Sequence, residues 1–156
     1  MKTTAELSKH IRGSFFGPNW TFSNVKDQLS DVTREMAFEK VGDLNTIAVL
    51  TYHIFYFVNV QLRVLEGGPL EGSDKLSFNV PKFKTEEEWQ QFVADSLDAA
   101  NRHADLVAQR EDSFLAEVCA DEKYGTWFRN LEGLIEHTHY HLGQISLIKK
   151  LLKAKG

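Results

Sequence analysis

His137 and His141 stand four residues apart in the run Glu136-His137-Thr138-His139-Tyr140-His141-Leu142-Gly143-Gln144-Ile145, and His53 lies in a second apolar stretch far upstream. On a helix of 3.6 residues per turn, that spacing puts two imidazoles on one face with Cβ atoms about 5–6 Å apart. Both rings can then reach one metal ion at about 2.0–2.1 Å. His53, on another apolar helix, is a candidate third ligand from a facing element. His139 is two residues from each neighbour, points to roughly the opposite side, and is left out. The plainer alternative is a set of surface or hydrogen-bonded core histidines. Against it, burying two imidazoles without partners on an apolar helix costs free energy.

Other metal chemistries fit less well. A zincin places a glutamate directly after the first histidine, and Thr138 stands there. A ferritin-like di-iron bundle needs two Glu-x-x-His motifs and two further glutamates; Glu136-His137-Thr138-His139 supplies one such motif and no second is found. With Cys119 as the only cysteine, a structural zinc finger and an internal disulfide are both excluded. Three side chains are weaker candidates around the site: Trp20 as a cover for its mouth, Tyr56 as a hydrogen-bond donor one turn from His53, and Gln144 as a partner one turn beyond His141. Each also reads as a packing or capping residue. No general acid or base stands out, and Cys119, lacking a motif, reads as a small buried hydrophobe.

The elements that must position these histidines are helical. A short helix is expected from Thr3 to about Gly13, followed by an aromatic turn through Phe15-Phe16-Gly17-Pro18-Asn19-Trp20, and short helical pieces between Asn24 and Val41. The run from Ile47 to Leu65 is apolar on almost every side, with Asn45 as the expected N-cap and Gly67-Gly68-Pro69 as its end. Such a helix is central in a bundle or buried against a partner chain. Residues 67–84 form a polar connection long enough, at up to about 3.3 Å per residue, to span roughly 59 Å and join parallel helices. Thr85-Glu86-Glu87-Glu88 reads as a capping box opening a long amphipathic helix, and Gly125-Thr126 opens the last one. No strand pattern competes. The reading is an all-α domain over residues 1–156 built mainly from four helices.

Composition bounds the function. A net charge of -4 and a pI near 5.9 offer no basic footprint for nucleic acid or anionic lipid. The N-terminal residues are too polar for a signal-peptide core, and no uncharged apolar run reaches the roughly 18 residues of a membrane span. A soluble, cytoplasmic protein with neither a nucleic-acid nor a membrane partner is expected.

The stretch Asn45-Thr46-Ile47 through His53-Ile54, followed by His137-x-x-x-His141-x-Gly143-Gln144-Ile145, resembles the DinB/YfiT-like family of four-helix bundles. Gly17-Pro18-Asn19-Trp20, Leu65-Glu66-Gly67-Gly68 and Ser73-Asp74-Lys75 also look like members of that family, so the similarity extends over most of the chain. The resemblance implies a bundle with a long crossover between its second and third helices. It also implies a divalent metal held by His53, His137 and His141, with the remaining coordination positions left to water or substrate. Members of the family are described as metal-dependent hydrolases, some transfer low-molecular-weight thiols, and many are homodimers. The expected activity is accordingly hydrolysis or thiol transfer on a small-molecule substrate. Zinc or nickel is the leading metal, and manganese and iron are also compatible with imidazole ligands. The alternative is a non-catalytic stress-related or interaction module in which a metal is structural or absent.

Overall fold

The computed structural model of the protein describes residues 1–155. Its helices are α1 (Thr3–Phe16), α2 (Val25–Leu29), α3 (Arg34–Phe38), α4 (Ile47–Leu65), α5 (Asp74–Ser77), α6 (Glu86–Gln109) and α7 (Trp127–Lys155), with 3-10 turns at Asp112–Ala116 and Glu122–Tyr124. Among the described residues there is no strand, only an isolated bridge between Val118 and Thr126. The chain is all-helical.

Local chemistry sets where the helices begin. Thr46 caps α4 by accepting from the Val49 N–H, so the cap falls one residue beyond the expected Asn45. Thr85 caps α6 through the Glu88 N–H, while the Glu88 carboxylate accepts from Lys84 rather than from the threonine itself. At the end of α4, Gly67 takes φ 88° and the Gly68 N–H returns to the Arg63 carbonyl.

Helix α1 runs three residues past its expected end and absorbs Phe15 and Phe16. Gly13 does not stop it. A side chain there would come within 3.0 Å of the Pro18 carbonyl, so this glycine admits the following loop against the helix.

Four long helices share one core. α1 packs on α6 and α7, and α4 packs on the same two helices from the other side. Tyr52 meets Phe92, Gln61 meets His103, and Arg110 donates to the Leu65 carbonyl, so α4 and α6 run in the same direction. By contrast His53 lies against His137 and Gln61 against Asn130, which makes α4 and α7 antiparallel. The 66–85 connection therefore crosses the length of the molecule, and it carries the short helix α5 rather than being wholly irregular.

Phe15, Phe55, Trp89, Leu131 and Ile145 are among the fully buried side chains, and the Trp89 indole N–H donates to the Val32 carbonyl. Across α6, α4 and α7 runs one polar chain: His103 Nε2 bonds Gln61 Oε1 at 3.1 Å, and the Gln61 amide donates to the Asn130 carbonyl. Helix α4, although it includes the charged Arg63, is by length and composition apolar enough to cross a membrane; 56% of that stretch is buried inside the molecule.

Candidate metal centre

The α4/α7 contact brings His53, His137 and His141 together, with ring centroids 4.7, 4.6 and 4.5 Å apart in the three pairings. Their candidate ligand nitrogens all lie within 4.8 Å of one another. His53 and His141 are buried and His137 is partly so.

The protons on two of the rings are fixed by their neighbours. The Ser77 hydroxyl spends its one hydrogen on the Asp74 carbonyl at 2.5 Å, so at 2.7 Å from His53 Nδ1 it accepts. His53 therefore carries its proton on Nδ1 and turns a bare Nε2 lone pair inward. Gln144 Oε1, which can only accept, lies 2.7 Å from His141 Nδ1 and imposes the same tautomer there.

His137 completes the cluster with a mismatch. Its Nε2 is 2.9 Å from His53 Nε2, while its Nδ1 is buried with no hydrogen-bond partner. If the His137 proton sits on Nε2, that N–H donates to the bare His53 Nε2; if it sits on Nδ1, two lone pairs face each other; in either tautomer the buried Nδ1 has no partner. A cation between the rings would bind both lone pairs of the second arrangement, with the Nδ1–H left unpartnered. Two nitrogens that each bond one ion at about 2.0–2.1 Å lie roughly 3–3.4 Å apart, close to the separation here. The residues present fit a metal.

The surroundings favour the neutral form of His53 and His137, the form that ligation requires. Burial, and then the neighbouring His141 and His53, pushes His137 down to about 4. His53 is lowered too, chiefly by burial and next by His141, with Asp74 pulling the other way. Phe78 stacks on the His53 ring at 4.0 Å, and Phe57 stands edge-on to His53 and His137 at 5.2 and 5.1 Å. This apolar wall causes much of the desolvation.

The three rings line an open cleft of about 580 Å³ whose other walls include Asp74, Tyr124, Arg129, Gly133 and Tyr140. Asp74 is the carboxylate that inspection of the sequence did not single out, and its charge acts on both His53 and His137. Ser77 was missed likewise. Its signal lay in Ser73, an N-cap residue whose hydroxyl accepts from Leu76 and starts the short helix that carries Asp74 and Ser77.

Other candidates fall elsewhere. Trp20 is 97% exposed and borders a separate hollow beside His139, so it does not cover the site. Tyr56 accepts from the Ser73 N–H and faces a different groove between α4 and α6. His139 bonds Ser14 on α1, away from the cluster. Cys119 is buried, which raises its thiol pKa. No family model matches the chain, and no curated protein or solved structure matches it either.

Proposed function

We propose that the protein is a metal-dependent enzyme of the DinB/YfiT-like kind, a four-helix bundle that carries out hydrolysis or thiol transfer on a small molecule. The observation behind this reading is the trio of imidazoles, two with their Nε2 lone pairs turned inward, at the wall of an open cleft. His53, His137 and His141 would hold a divalent ion, with zinc or nickel favoured. When bound, such an ion supplies Lewis acidity that makes water or a thiol a strong nucleophile near neutral pH.

The chain's own residues do the rest. Ser77 and Gln144 hold two of the rings in their ligating tautomers. Phe57 and Phe78 exclude water from one side of the cluster. Asp74, at the start of α5, is the carboxylate in the cleft available to accept a proton from an incoming nucleophile. A non-catalytic module with a structural ion is the rival. A closed shell of protein ligands would favour it, whereas three ligands beside a cleft favour exchange of the remaining positions.

The test is turnover by protein reconstituted with zinc or nickel. A thiol plus an aromatic electrophile, and a panel of activated esters and amides, are the substrates. Activity that disappears in both His137→Ala and Asp74→Asn supports the assignment. Metal-loaded protein with no turnover on either class moves the reading to the structural module.

A further inference from the structure

Arg129, Gly133, His137 and His141 follow one another at intervals of four along α7, so they form a single stripe on its surface. All four line the cleft. We infer that this stripe is a substrate channel, and that Arg129 binds an anionic group, a carboxylate or phosphate, on the end of the substrate remote from the histidines. The inference rests on the metal-site reading and adds the chemical class of the molecule.

No hydrogen bond or ion pair among the described residues engages the Arg129 guanidinium, its backbone N–H alone being held by Thr126. Among the described residues, each of the other arginines is engaged through its side chain: Arg12 with Asn101 and Asp105, Arg34 with the Phe83 carbonyl, Arg63 with Glu71, Arg102 with Glu66, and Arg110 with the Leu65 carbonyl. The Arg129 guanidinium instead lies beside Gly125 at the end of the cleft. Lys123, the other cation on this wall, is already occupied by Asp121 at 3.6 Å and by the Tyr124 ring at 4.8 Å. A planar fork of free N–H donors is suited to a carboxylate or phosphate.

Gly133 gives the bound molecule its path. A glycine within a helix destabilises it relative to alanine, and here no packing contact requires one, because an added Cβ would meet nothing within 4 Å. Its missing side chain leaves the floor clear between Arg129 and His137. The eight-residue step from Arg129 to His137 corresponds to about 12 Å of helix axis. The substrate is therefore elongated, with its reacting group and its anionic end at opposite ends of the cleft.

Three probes with one metal-binding head separate the possibilities: mercaptohexanoate, mercaptohexyl phosphate and the uncharged mercaptohexanol. Calorimetric titration into zinc-reconstituted protein should show at least one anionic probe binding about tenfold or more tighter than the alcohol. Whichever of the two gains more identifies the anion. Arg129→Gln should erase that preference while leaving alcohol affinity and zinc content unchanged, and Gly133→Leu should weaken all three probes with helical content retained. Equal affinities for charged and neutral probes, a preference that survives Arg129→Gln, or unaltered binding in Gly133→Leu would overturn the proposal. Failure of the metal site is read separately. Protein that takes up no zinc defeats that reading, yet the Arg129 Nε–H resonance should still shift with hexanoate in the metal-free protein, and a resonance that does not move overturns the anion site.

Discussion

His53 and His137 face each other Nε2 to Nε2 at 2.9 Å across the α4/α7 contact, although the proton of His53 is held on the far side of its ring by Ser77. With the His137 proton on Nε2 the contact is a hydrogen bond to His53; with it on Nδ1 two lone pairs are opposed, and a cation between them would join the rings. In the metal site proposed above the pair are two ligands of one cation, and Ser77 is the residue that orients His53.

Ser77→Ala removes that orientation without touching a ligand. The expected result is a loss of about 10- to 100-fold in zinc affinity with the helical circular-dichroism signal intact, measured by competition with a chelating dye. Gln144→Ala should do the same through His141. Unchanged affinity in both variants would show that the hydrogen bonds to Nδ1 do not prepare the site.

His103 predicts how stability depends on pH. Burial holds it at about 4 in the folded protein, against about 6.5 in an unfolded chain. Between those values the unfolded state binds a proton that the folded state refuses. The contribution of His103 to stability is therefore greatest above pH about 6.5, falls as the pH drops toward about 4, and levels off below, by about 3 kcal/mol in all. Urea denaturation at neutral and mildly acidic pH should show a clearly smaller acid loss in His103→Leu than in the native sequence. An identical pH dependence would mean that His103 is not the group responsible.

Much of the centre was legible because helical periodicity is a local property. The i, i+4 spacing of His137 and His141, and the turn from His141 to Gln144, follow from backbone geometry alone. Pairing His53 with them required knowing which helices touch, and only its apolar setting hinted at that. Loops were harder. Trp20 was a weaker candidate, read either as a cover for the site or as a packing residue, and it is neither, because its side chain projects from a turn whose direction no periodicity encodes; Ser77 and Asp74 lie in a connection that read as long and polar. Arg129 resembled any exposed charge in the first turn of a helix; its meaning depends on the ion pair it does not make.

Assembly gives a further prediction. Tyr52, Tyr56 and Val60 on α4, with Phe92 on α6, border an open groove of about 840 Å³, and Leu76 beside it is 54% exposed. This outer face of α4 is where a homodimer is proposed to form. Sedimentation velocity at micromolar concentration should give a dimer that Val60→Arg dissociates. A monomer at every concentration would contradict it.

The central claim is that His53, His137 and His141 bind one metal ion. Elemental analysis by mass spectrometry on untagged protein, beside His53→Ala and His141→Ala, tests it most directly. The account predicts about one transition-metal ion per chain in the native sequence and a large loss in each variant, with helical content preserved. Full metal occupancy in either variant, or no metal in the native protein after reconstitution with zinc, nickel and manganese, would contradict it.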